Sequence, residues 1–119
     1  MPSQHRKHRG YKSQDILATY LTKNGFPYAL SAGAGREGTD VTGTPGIDWE
    51  VKARKGFSPA AVMKQLKERR NENVLPVAVL RLNGQGEASI GDWVVMLRTE
   101  DFVNLIRDAG YGDPKEKLV

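Results

Sequence analysis

Asp40 and Glu50 are two carboxylates ten residues apart, and Lys52 places an ammonium two residues beyond the second. Carboxylate pairs hold hard divalent cations such as Mg2+, which polarise a phosphate and acidify a bound water. A lysine beside such a pair sits next to the same phosphate, so the residue types suit phosphodiester hydrolysis. The run Ile-Asp-Trp-Glu-Val-Lys-Ala-Arg at 47–54 alternates strictly. Period 2 puts Asp48, Glu50, Lys52 and Arg54 on one face of a strand and Ile47, Trp49, Val51 and Ala53 on the other. Asp48 is thereby a third carboxylate for the same cation. The triplet Glu50-Val51-Lys52 also suits a half-exposed strand with a charged outer face, so its reading depends on its surroundings.

Composition narrows the chemistry. The chain of 119 residues is 39% hydrophobic and 27% charged, the size and balance of one domain with a real core. It contains no cysteine, which excludes disulfides, thiolate zinc sites and cysteine nucleophiles, and both histidines, His5 and His8, lie near the N-terminus. A metal in the folded body must therefore take oxygen ligands. No apolar run reaches membrane-spanning length, and the basic first dozen residues lead into no apolar stretch, so neither a span nor a signal peptide is expected. The expectation is a cytoplasmic protein of a bacterial, archaeal or phage-infected cell, with no membrane and no organic cofactor among its partners.

Charge is unevenly spread. The net charge is +4, and residues 1–12 carry Arg6, Lys7, Arg9 and Lys12 with no acid, so the whole excess lies there. Residues 52–70 carry Lys52, Arg54, Lys55, Lys64, Lys67, Arg69 and Arg70 against Glu68 alone. Two basic stretches thus flank the carboxylates. That arrangement suits a polyanion gripped through its phosphates across a metal site, although a solvated helix face and a solubilising tail have the same composition.

The elements that must position these residues read in the order α-β-β-β-α-β-α. A first helix is expected from about 11 or 13 to 23, with Ile16, Leu17, Tyr20 and Leu21 inward and Asn24-Gly25 as its stop. A strand near 28–32, a glycine loop and a short strand at 39–42 follow, and Gly43-Thr44-Pro45-Gly46 turns the chain into the 47–54 strand. Asp40 and Glu50 then meet across a hairpin. Ser58 is a cap and Pro59 the first residue of a helix carrying Val62, Met63 and Leu66 inward and Lys64, Lys67, Arg69 and Arg70 outward, ending near 71–73. Residues 74–80 are continuously apolar, as in a buried central strand, and 92–97 read as a second buried strand. Thr99 is placed as the cap of a last helix with Phe102, Val103, Leu105 and Ile106 packed and Gly110 as its stop. These elements imply an α/β sandwich around a mixed sheet.

The order of helix, strand, Ser-Ala-Gly loop, Asp, hairpin, ExK strand, basic helix and buried strand resembles that of the PD-(D/E)xK nucleases. The segments RGYKSQDILATYLTKNGF, SAGAGREGTDV and IDWEVKARKG look most like archaeal-type Holliday junction resolvases, across residues 9–56. The resemblance implies a restriction-endonuclease-like α-β-β-β-α-β core around a mixed sheet with a C-terminal helix, and a homodimer that cuts four-way DNA junctions with Mg2+, Mn2+ serving as substitute. It implies Asp40 and Glu50 as metal ligands, Lys52 as partner of the phosphate or water, and Ser31 as a loop residue near the scissile strand. Where those enzymes carry a glutamate on the first helix, this chain has Gln14 with Asp15 beside it. An amide oxygen there brings no charge, and Asp48 is the carboxylate placed to compensate.

The expectation from sequence is a metal-dependent, structure-selective DNA endonuclease that resolves four-way junctions by phosphodiester hydrolysis. Residues 1–12 form a basic flexible arm, 13–112 a nuclease domain and 113–119 a polar tail. Arg6, Lys7, Arg9, Lys12, Arg36, Arg54, Lys55, Lys64 and Lys67 are expected to contact branched DNA. Two alternatives stay open: another PD-(D/E)xK nuclease, nicking or restriction-like, and a non-catalytic DNA-binding protein of the same fold.

Overall fold

The computed structural model describes residues 2–33 and 38–113, the side chains of residues 2–9 excepted. Helix α1, Pro2–Lys23, opens the chain. Its inward side is Ile16, Leu17, Ala18 and Leu21, all buried, while Tyr20 is exposed rather than packed. Gly25, at φ +102°, ends it in the left-handed conformation that glycine adopts freely. There the Phe26 N–H reaches back to the Leu21 carbonyl at 3.0 Å and satisfies one of the last helical acceptors. The stretch expected as a flexible arm has helical backbone from Pro2 onward, about nine residues ahead of the expected helix start. Of the polar tail expected at 113–119, residues 114–119 lie outside the described residues.

Strands β1, Leu30–Ser31, and β2, Val41–Thr42, form a small antiparallel pair. Gly43, φ +82°, makes the turn after β2, where a Cβ would collide with the Tyr28 carbonyl. The main sheet holds β3, Ile47–Ala53, β4, Leu75–Arg81, and β5, Val94–Met96, in the order β3-β4-β5. β3 and β4 are parallel over all seven positions, and β5 runs antiparallel to β4. A parallel pair needs a crossover, and helix α2, Pro59–Arg69, supplies it. Ser58 caps α2 by accepting from the Ala61 N–H at 3.3 Å, with Pro59 in the first turn. A 3-10 segment, Glu87–Asp92, leads into β5, and helix α3, Thr99–Asp108, closes the described chain.

The mixed sheet is covered on both faces. On one, Trp49, Val51, Val77 and Val79 pack with α1, Val41 and Trp93. On the other, Ala78 and Leu80 pack with Val62 and Leu66 of α2. Register partners in a sheet share a face, so Asp48, Glu50 and Lys52 stand beside Pro76, Ala78 and Leu80 on the side that α2 covers. The charged face of β3 is consequently half-sheltered rather than open to solvent.

The third quarter of the sequence folds as its pattern implies, with five consecutive buried residues in β4. The last quarter does not. β5 is a three-residue edge strand whose Val94 and Val95 are exposed, 57% in the latter case, and only Trp93 of that run is buried. α3 is capped by Arg98, with Thr99 already helical. Its apolar residues Phe102, Val103 and Leu105 face outward, and the buried residue of the helix is Asp101. The hydrophobic periodicity marks a helix correctly but carries no information on which side finds a partner.

Candidate functional site

Asp40 is held against β3 from several directions. Its own N–H donates to the Trp49 carbonyl at 2.8 Å, and its carbonyl accepts from Ala32 at 2.9 Å. Its Oδ2 accepts from the Val51 N–H at 2.7 Å. Thr39 reinforces this join: its hydroxyl accepts the Trp49 N–H at 2.8 Å and donates to the Val41 carbonyl at 2.8 Å. Thr44 then accepts the buried Trp49 Nε1–H at 2.8 Å. The Val51 N–H therefore fixes the Asp40 carboxylate on β3 near Glu50, Thr39 joins the two backbones, and Oδ1 of Asp40 keeps capacity for a further ligand. Burial raises the Asp40 pKa, the Val51 N–H opposes that, Glu50 adds to the rise, and Arg69 and Lys52 lower it.

Glu50, half-buried, divides its carboxylate between two cations. Oε1 lies 3.4 Å from Lys52 Nζ, and Oε2 accepts from Arg69 Nη1 at 2.7 Å. Lys52 is 7% exposed at the side chain, tucked under α2 instead of projecting into solvent. Asp48 lies 3.2 Å from the same Arg69 nitrogen, an ion-pair distance without hydrogen-bond alignment, so its buried Oδ1 has no hydrogen-bond partner. Its pKa is raised by burial, with Arg69 lowering it and Glu50 raising it. Arg69 further donates from Nη2 to the Gly38 carbonyl at 2.7 Å, tying the end of α2 to the loop before Asp40.

Arg69 is the residue that reading from sequence misplaces. It was expected to point outward with the other cations of α2, and it instead enters the carboxylate cluster. The signal was available: Val62, Leu66 and Arg69 are spaced i, i+4, i+7, the period of one helix face. Charge argued for solvent, but a long side chain on a buried stripe reaches past the core to its rim. Arg70, one step round, pairs instead with the buried Asp101 of α3 at 2.9 Å.

Gln14 and Ser31 are both partly buried, and Gln14 Oε1 and Ser31 Oγ are buried oxygens without hydrogen-bond partners among the described residues. Ser31 is brought to Asp40 by its pairing with Val41 and by the Ala32–Asp40 backbone bond. Asp15 is exposed. Lys12, Arg54, Lys55, Lys64 and Lys67 are exposed, Lys64 and Lys67 lining a shallow surface hollow of about 480 Å3 with Ala60, Met63 and Glu68. Arg36 and the side chains of Arg6, Lys7 and Arg9 lie outside the described residues.

The donor set is all oxygen, which suits a hard cation. Asp40 and Glu50 offer the charged ligands, while Gln14 Oε1 is a buried, unpartnered oxygen on α1, the helix that packs on the Trp49 and Val51 side of β3. Among the described residues no three acidic or histidine side chains are grouped for a metal, so Asp48, expected as a third ligand, does not close such a cluster with Asp40 and Glu50. The nitrogen of Arg69 bridges Asp48 and Glu50 in its place. No family model, curated protein or solved structure matches the chain in comparison. Among the described residues no helix is long and apolar enough to cross a membrane.

Proposed function

We propose that the protein is a metal-dependent DNA endonuclease of restriction-endonuclease-like fold that acts on branched DNA, four-way junctions foremost, as a homodimer. The observation that carries this reading is the anchored pair Asp40–Glu50 with Lys52 on the adjoining carboxylate oxygen. A half-exposed structural strand would not need the neighbouring Asp40 carboxylate fixed by a backbone amide while burial opposes its charge.

In this reading Asp40, Glu50 and Gln14 hold Mg2+ or Mn2+. The bound cation supplies charge neutralisation at the phosphoryl oxygens and an acidified water. Asp40 keeps its position through the Val51 N–H whatever occupies its other oxygen. Lys52 holds an ammonium at the Glu50 carboxylate, where it can stabilise charge on the transferring phosphate. Ser31, paired with Val41 next to Asp40, can donate to a neighbouring phosphate oxygen. The exposed cations Lys12, Arg54, Lys55, Lys64 and Lys67 grip the backbone without reading bases.

The test is incubation of the purified protein with labelled four-way, forked and linear duplex DNA, with and without Mg2+ or Mn2+. Cation-dependent cuts in the four-way substrate, absent in Glu50→Gln, are the expected result. Tight binding with no cleavage under any metal would assign the same surface to a non-catalytic DNA-binding protein. Equal cutting of linear duplex would leave a general nuclease.

A further inference from the structure

Glu50 and Asp48 already have a cation between them. Arg69 Nη1 lies 2.7 Å from Glu50 Oε2 and 3.2 Å from Asp48 Oδ1, and Lys52 takes the other oxygen of Glu50 at 3.4 Å. Both oxygens of the proposed metal ligand are therefore engaged by protein cations. Three carboxylates, Asp40, Asp48 and Glu50, face two positive side chains here. A dication added to this set without rearrangement leaves excess positive charge in a half-buried site, whereas departure of one guanidinium restores balance. Lys52 is buried under α2, but Arg69 stands on the last turn of that helix with its side chain 27% exposed, so Arg69 is the one with a way out.

We infer that Arg69 is a resident counter-cation of the Glu50–Asp48 pair, which a divalent cation must displace, and that a DNA phosphate is the partner to which the guanidinium transfers. Phosphate diesters accept the guanidinium fork as carboxylates do. The exposed Lys64 and Lys67 on the same helix place such phosphates near its end. Metal and DNA would then assist each other: DNA draws Arg69 away and frees the carboxylates, and metal releases Arg69 to hold DNA. Arg69 is on this account a positioning residue that couples the two ligands. The inference rests on the nuclease reading for its metal.

Titration of the intact protein with Mn2+ alone, followed by the electron paramagnetic resonance of free Mn2+, separates the possibilities. Arg69→Gln should bind Mn2+ at least about tenfold more tightly than wild type in the absence of DNA, within the usual range of coupling between sites. The double variant Arg69→Gln, Glu50→Gln should lose that binding. Because Arg69 also holds the Gly38 carbonyl, Arg69→Lys carries the test if the glutamine variant does not fold. It keeps the charge but not the fork, and should bind Mn2+ more tightly than wild type by a smaller factor. Wild type that binds Mn2+ through Glu50 with affinity no weaker than the Arg69 variant would overturn the role of Arg69 and leave the nuclease reading in place. Mn2+ bound by neither protein would remove the metal site, and both readings with it.

Discussion

At the scale of single residues, Glu50 and Lys52 face different demands from the exposed lysines around them. Glu50→Gln and Lys52→Ala should each lower cleavage of a four-way junction at least about a hundredfold, the scale of losing one preorganised transition-state contact. Junction affinity in a gel shift should stay within a few fold, because the proposed phosphate contacts are the exposed cations elsewhere. Wild-type cutting by Glu50→Gln would sink the site assignment. Asp40 makes a second, independent prediction through stability. Its folded pKa is raised, chiefly by burial, so between the ordinary carboxylate value and the raised one the folded state binds more protons than the unfolded state. Its contribution is therefore fully present at acid pH and is lost as pH rises through the folded pKa. Asp40→Asn keeps an acceptor for the Val51 N–H and cannot ionise. It should melt above wild type at pH 7.5 without metal, with the difference shrinking towards pH 4. A gap independent of pH would show that ionisation of Asp40 is not what sets it.

At the scale of elements, α2 does two jobs with one stripe. Val62 and Leu66 bury it on the sheet, and Arg69 continues the same face into the carboxylates. Leu66, 1% exposed, sets the seating of the helix. Leu66→Ala should cost about 2–5 kcal/mol, as core truncations of this size do. In chemical denaturation that variant should also lose cleavage before it loses global structure, since a small shift of α2 misplaces Lys64, Lys67 and Arg69 for the DNA phosphates they would meet. The N-terminal part of α1 gives the other element-scale test. Removing residues 1–9 should weaken binding to four-way, forked and linear DNA alike and flatten the dependence of affinity on salt, because Arg6, Lys7 and Arg9 would meet phosphates and not bases. An unchanged salt slope would return these residues to a solubilising role.

For the whole molecule, the exposed apolar side of α3 bears on assembly. Phe102, half exposed, stands with Val103 and Leu105 on the outward side of α3, and Val94 and Val95 on the edge strand are exposed too. A four-way junction presents two equivalent scissile phosphates, while this chain carries one Asp40–Glu50 pair, so paired incision calls for two subunits. Light scattering should give about twice the 13.2 kDa chain mass. Phe102→Asp with Leu105→Asp should yield a monomer that nicks a junction once without resolving it. A monomeric wild type that still resolves junctions would contradict this assembly.

What the chain announces by itself is local. Period 2 over residues 47–54, the Ser58-Pro59 start of α2, the Gly25 stop of α1 and the continuous apolar run of β4 are each fixed by backbone geometry or by the number of faces a strand must bury. The pairing of Asp40 with the β3 strand was legible for the same reason, since a glycine turn of that length leaves the two segments few other ways to meet. The rest depended on partners remote in sequence. Lys52 is buried on the face of the sheet that α2 packs, which its own alternating run could not announce. That Arg69 enters the site follows from a helix face whose apolar and charged residues share one period, and sequence cannot say how far the sheet extends beneath it. That α3 turns its apolar side outward, with Asp101 paired to Arg70 on the inside, was decided by an ion pair between residues thirty-one apart in the chain. Periodicity determines which residues share a face, but only tertiary packing determines what each face meets, because burial is a property of two surfaces and the sequence of one element specifies a single one.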